Sequence, residues 1–130
     1  MRFLKKFHLF FGFLVLILFV LTGQYMHRKY NHLIDMKDVE RALFRTGHIY
    51  ILFLSFINIS LGSYFRIGKS KFTKTCQFIG SFFIVIATLL IIYSFFKELP
   101  TSQIERTISR FGIYFALAGT LFHSIVNFKK

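Results

Sequence analysis

The stretch CQFIGSFFIVIATLLIIYSFF, Cys76–Phe96, decides how the rest of the chain is read. It carries no charged side chain. A helix rises about 1.5 Å per residue, so roughly 20 residues cross a hydrocarbon core of about 30 Å, and this run has that length. Three more apolar runs flank it: Phe7–Gly23, preceded by Arg2, Lys5 and Lys6, then Gly47–Phe65 and Phe111–Phe128. Together they predict an all-α fold, a transmembrane four-helix bundle occupying the 130 residues as one domain. Composition agrees, since 55% of the residues are hydrophobic and 20 are Phe. A water-soluble domain this small could not bury that much apolar surface.

The formal net charge of +12 raises nucleic acid as a partner. The basic residues, however, lie between long apolar runs rather than on a continuous face, which is the pattern that anionic lipid surfaces select. The expected partners are therefore the bilayer and its anionic lipids, not nucleic acid. Cys76 is the single cysteine, so no internal disulfide can form.

A basic start followed by an apolar run also describes a signal peptide. No small-x-small cleavage site follows Phe7–Gly23; the local sequence is Val20-Leu21-Thr22-Gly23-Gln24-Tyr25. A retained anchor is the expectation, with a cleaved signal as the alternative. For orientation, one side would hold Arg2, Lys5, Lys6, Arg66, Lys69, Lys71, Lys74, Lys129 and Lys130. The other would hold Arg28, Lys29, Lys37, Arg41, Arg45, Lys97, Arg106 and Arg110. The totals are nearly equal, and the cluster before the first helix decides the reading: both termini cytoplasmic, in a bacterial-type inner membrane.

Part of the chain repeats. Glu40-Arg41-x-x-x-Arg45-x-Gly47-His48-Ile49-Tyr50 leads into the second run, and Glu105-Arg106-x-x-x-Arg110-x-Gly112-Ile113-Tyr114 into the fourth, with His48 as a one-residue insertion. Lys6-x5-Gly12 and Lys74-x5-Gly80 open the first and third. The two matches predict duplicated helical hairpins, parallel repeats about an axis along the membrane normal. Ser102-x-x-Glu105 after Pro100 reads as a capping box, placing the start of the fourth helix near Gln103; Asp35 or Asp38 is expected to cap the second.

Lipid gives no hydrophobic drive between helices, so small and polar side chains mark the contact faces. In the fourth helix Gly112, Ala116, Thr120 and Ser124 recur every four residues, with Gly119, His123 and Asn127 in the next row. The second gathers His48, Ser55, Asn58 and Gly62, the third Gln77, Gly80, Ser81 and Thr88, and the first His8, Gly12 and Thr22. Each span thus pairs a polar-small stripe with a Phe/Leu/Ile face, the pattern of a closed bundle.

No Asp, Glu, Lys or Arg lies inside the four runs, which lowers the weight of carboxylate-coupled transport. No nucleophile–base pair or phosphate loop is visible, so an enzyme is not the expected reading. Imidazole is a good iron ligand, and His8 and His123, with Cys76, fall at one level as metal or haem candidates. The plainer reading of the same residues is interhelical hydrogen bonding. His48 and His123 differ in depth by roughly 15 Å at the helical rise and cannot share one haem. His27, His32 and His48 form an outer polar cluster with Asp35 and Asp38, either a metal site or a solvated loop. Arg41, Arg45, Arg106 and Arg110 could present guanidinium groups to a lipid headgroup or another anion, against the plainer reading of interfacial snorkelling.

At Arg45-x-x-His48-Ile49-Tyr50, following His27-Arg28-Lys29-Tyr30-x-His32, the chain resembles small four-span bacterial membrane proteins with no assigned activity. That resemblance implies fold and location and no catalytic residue. The leading expectation is a non-enzymatic structural or accessory subunit, or a self-associating bundle. The alternatives are a redox component binding haem or quinone, and a small channel or transporter for an anionic or neutral solute.

Overall fold

The computed structural model describes residues 2–64, 66–98 and 104–128, the last three by their backbone alone. These residues form four α-helices: α1 (Arg2–Lys29), α2 (Asp38–Tyr64), α3 (Lys71–Lys97) and α4 (Thr107–Phe128), with one short 3-10 turn at Asn31–Leu33. Many residues of α3 are β-branched or aromatic, a composition that suits strands in water. In hydrocarbon the backbone must satisfy its own polar groups, and a lone segment does so only as a helix. Among the described residues, α1, α2 and α3 are long and apolar enough to cross a membrane. In α4, Arg110 lies in the first turn and the side chains after Ile125 lie outside the described residues.

Consecutive helices pair closely as two antiparallel hairpins, α1 with α2 and α3 with α4, and α3 joins the pairs through α2. Glycines allow the close approach within each hairpin. A Cβ on Gly12 would lie 2.7 Å from both the backbone nitrogen and Cγ1 of Ile59. A Cβ on Gly62 would collide with the backbone of Leu9. In the second hairpin the facing pair is Gly80 and Gly119, where a Cβ on Gly119 would lie 2.8 Å from the Gly80 carbonyl oxygen. Gly12 thus faces Asn58 and Ile59, while Gly80 faces Gly119, Phe122 and His123.

The helix ends are held by side chains. Ser70 caps α3 by accepting from Thr73 N at 3.1 Å. The buried Gln77 spans the preceding loop, donating to Arg66 O at 2.6 Å and accepting from Gly68 N at 2.9 Å. α4 begins at Thr107, not near Gln103. Ser102, the expected cap, lies outside the described residues, and Glu105 precedes the helix. The cap comes from the neighbouring helix instead. Glu98, following α3, accepts from Ile108 N at 2.6 Å and from Ser109 N at 3.0 Å, so a carboxylate sits on the positive end of α4. α2 opens at Asp38, with Asp38 and Glu40 in its first turn.

Between α1 and α2 the chain turns through three consecutive left-handed residues, Asn31 (φ 43°), His32 (φ 58°) and Leu33 (φ 64°). Left-handed backbone costs about 1 kcal/mol or more at a non-glycine residue. Two contacts offset it: Leu33 is buried, and Arg41 reaches back to donate to the carbonyls of Leu33 (3.1 Å), Ile34 (3.3 Å) and Met36 (3.0 Å).

Candidate functional site

The outer surface is apolar. Phe10, Phe13, Ile17, Phe53, Phe56, Phe78, Phe82, Leu117 and Leu121 are all exposed. The interior holds much of the polarity: His8, Thr22, Ser55, Asn58, Gln77, Ser81, Thr88 and His123 are buried. This inverts the arrangement of a water-soluble protein and matches a hydrocarbon surround, where polar groups gain by facing one another.

The centre of the seam is Asn58. Its Nδ2 donates to Leu54 O at 2.8 Å and to Thr88 Oγ1 at 3.1 Å, and the Thr88 hydroxyl passes its own hydrogen to Ile84 O at 2.8 Å. With both Asn58 donors engaged, Oδ1 is the acceptor facing His8 Nδ1 at 2.7 Å, so His8 carries a proton on Nδ1. Its Nε2 is buried and has no hydrogen-bond partner. Ser55 Oγ donates to Gly12 O at 3.0 Å, and Ser81 Oγ hydrogen-bonds His123 Nε2 at 3.1 Å. The seam therefore ties α1 to α2, α2 to α3, and α3 to α4. Near the hairpin end, where α1 turns into α2, aromatic rings take over: Phe44 meets Tyr30 at 5.0 Å and Phe95 at 6.1 Å between ring centres.

The candidate histidines separate into three groups. His8 and His123 are both buried, His8 hydrogen-bonded to Asn58 and His123 to Ser81; Cys76 is buried and free. His48 leaves the outer cluster: its ring stacks on Phe19 at 4.0 Å. Its Nδ1 donates at 2.9 Å to Thr22 Oγ1, whose own hydrogen goes to Phe19 O. His27 and His32 remain together, exposed, with their Nδ1 atoms 2.9 Å apart. Among the described residues no three of His, Cys, Asp and Glu gather as a metal site.

The arginines also divide. Arg41 is committed to the turn carbonyls and lies 3.7 Å from Asp38. Arg45 is exposed. Arg106 and Arg110 line one mouth between α2 and α4, a space of about 430 Å³ shared with Thr46, Gly47, Tyr50 and Glu105. Arg106 Nε and Nη2 are buried without a hydrogen-bond partner. Burial pushes the Arg106 guanidinium below the usual arginine range, opposed by the charge of Glu98.

Of the packing residues, Gly112, Ala116, Gly119, Ser55, Asn58 and Gly62 are buried at helix contacts. Thr120 is half-buried and Ser124 is exposed; each hydroxyl bonds back to its own helix, Thr120 to Ala116 O at 3.0 Å and Ser124 to Thr120 O at 2.9 Å. The contact row of α4 is thus Gly112, Ala116, Gly119 and His123, and the Asn127 side chain lies outside the described residues. Glu98 escaped the sequence reading, because its role depends on two helix ends meeting in space.

Comparison with protein-family models, curated proteins and solved structures finds no match.

Proposed function

We propose that the chain is a four-span integral membrane protein acting as a non-enzymatic structural or accessory subunit, built from two duplicated hairpins. The observation that carries this reading is the inversion of polarity, with phenylalanines outside and the His8–Asn58–Thr88 and Ser81–His123 hydrogen bonds inside. In this reading α4 crosses with the other three, and both termini lie on the cytoplasmic side of a bacterial-type inner membrane. Duplication draws support from Gly12 meeting α2 at Asn58 while Gly80 meets α4 at His123. The exposed apolar faces would meet lipid, other membrane subunits or a second copy. Mild-detergent purification at native expression tests the subunit role: a reproducible membrane partner is expected, and recovery of the lone chain would overturn it.

A second reading, a redox component holding haem or quinone, has one specific support. The buried His8 Nε2 has no hydrogen-bond partner, and an imidazole nitrogen is a good iron ligand. An absorbance spectrum of the purified protein decides it for haem: a band in the Soret region supports the redox reading, and its absence removes haem.

A further inference from the structure

We infer that the cleft between α2 and α4 is a binding site for one anionic phospholipid, with its phosphate at Arg106 and Arg110 and one acyl chain lying along the cleft. This rests on the reading that all four helices stand in a bilayer.

The cleft has two adjoining parts. The mouth contains Thr46, Glu105, Arg106, Ser109 and Arg110, and below it runs an apolar channel of about 170 Å³ bordered by Phe53, Leu54, Ile57, Ile91, Ala116 and Leu117. Tyr50 and Ile113 line both parts, so the two adjoin at these side chains. Gly112 keeps the channel wall low: a Cβ there would come 2.9 Å from Ile91 Cδ1. From Arg106 to Thr120 the wall of α4 runs roughly 20 Å at the helical rise. That is the reach of an extended acyl chain, and it points from the charged boundary into the hydrocarbon core.

The chemistry of the mouth selects the occupant. Arg106 has two buried donors, Nε and Nη2, without acceptors. A buried charged donor without an acceptor is costly, and a planar guanidinium is matched by a pair of phosphate oxygens. Arg110 adds a second positive charge at the same mouth, where Glu105 is the lining carboxylate; Glu98, whose charge also acts on Arg106, is held at the α4 N-terminus and has both oxygens engaged there. A zwitterionic lipid would bring its own cation to a site that already holds two. The corresponding arginine of the first hairpin, Arg41, offers no such site, because its donors are taken by loop carbonyls.

The test uses the full-length protein in mild detergent, exchanged against equal amounts of phosphatidylglycerol and phosphatidylcholine with matched chains and read by native mass spectrometry. Preferential retention of one phosphatidylglycerol is expected, falling about tenfold in Arg106→Gln and unchanged in Arg45→Gln, whose arginine is exposed and outside the mouth. Equal retention of the two lipids would overturn the proposal, as would equal losses from Arg106→Gln and Arg45→Gln. Soluble glycerol phosphate displacing the lipid at matched concentration would also overturn it, since the site would then read phosphate alone. Ala116→Val narrows the channel without touching the charges and is expected to weaken retention; unchanged retention there would remove the acyl-chain part. Helical content and detergent dependence, followed by circular dichroism, separate the two levels. Lost selectivity in a helical, detergent-requiring protein defeats only the lipid site, and a folded protein in plain buffer defeats the membrane reading beneath it.

Discussion

The same residues lead into the second helix of each hairpin and are used differently. In the first, Arg41 folds back onto the carbonyls of Leu33, Ile34 and Met36 and stabilises a left-handed turn. In the second, Arg106 precedes α4, its Nε and Nη2 have no acceptor, and the helix start is held by Glu98. The helix contacts, in contrast, are alike: a glycine on the first helix of each pair meets the second beside a polar side chain, Asn58 in one and His123 in the other. A shared sequence pattern fixes how two helices pack. It does not fix what the charges at their ends do, because those charges answer to whichever loop lies nearby.

The comparison can be broken hardest at the glycines. Gly62→Leu places a side chain against the backbone of Leu9, which cannot yield, and is expected to cost more than about 3 kcal/mol or prevent folding. Gly23→Ala is the control, since its Cβ would meet only the His48 ring at an ordinary 3.4 Å and should cost under about 1 kcal/mol. Thermal unfolding in detergent measures both, and equal losses would contradict the close-packed hairpin.

The seam comes next. Asn58→Leu leaves His8 Nδ1 and Thr88 Oγ1 each one partner short and is expected to cost about 1–3 kcal/mol. Ser81→Ala in the other hairpin removes one bond to His123 and should cost about 0.6 kcal/mol, the usual size for a hydrogen bond inside a membrane. The ordering is the point: if Ser81→Ala proved the more damaging, Asn58 would not be the centre of the seam.

Glu98→Gln removes the carboxylate from the α4 N-terminus and is expected to cost about 1 kcal/mol, seen as faster amide exchange at Ile108 and Ser109. Unchanged exchange at those two amides would show that the cap is dispensable. The smallest and most discriminating pair is Arg41→Gln against Arg106→Gln. The first frees three turn carbonyls and should lower stability by about 0.5–1 kcal/mol. The second removes a partly buried cation without partners for two of its donors and should leave stability unchanged or raise it. Equal losses would mean that the repeated arginines do the same work after all.

Much of the helix packing was legible in the sequence. The stripes His8, Gly12 and Thr22, then Ser55, Asn58 and Gly62, and Gln77, Gly80, Ser81 and Thr88 are buried, with His48 of the second stripe half-buried, since a period near 3.6 residues fixes which side chains share a face. Periodicity fails where a stripe is wide. Ser124 continues the four-residue row of α4 yet is exposed, because the contact with α3 drifts onto Gly119 and His123. The candidate outer cluster fails for a different reason: His48 lies on α2 facing Thr22 and Phe19, while His27, at the end of α1, pairs with His32 in a turn whose left-handed backbone no local pattern announced. The Glu98 cap was hidden in the same way, since Ser102-x-x-Glu105 offered a local solution and the actual one comes from the end of another helix.

The account depends most on which side chains touch hydrocarbon. In a Cys76→Ser background, single spin labels at Phe13, Phe56, Phe82 and Leu117 in reconstituted vesicles sample one exposed position on each helix; labels at Arg28 and Lys69 mark the aqueous boundary. All four helix labels are predicted to relax with dissolved oxygen and to resist a water-soluble nickel reagent, Leu117 as strongly as the rest. Free access of the nickel reagent to Leu117 would take α4 out of the membrane, and free access to all four would contradict the account as a whole.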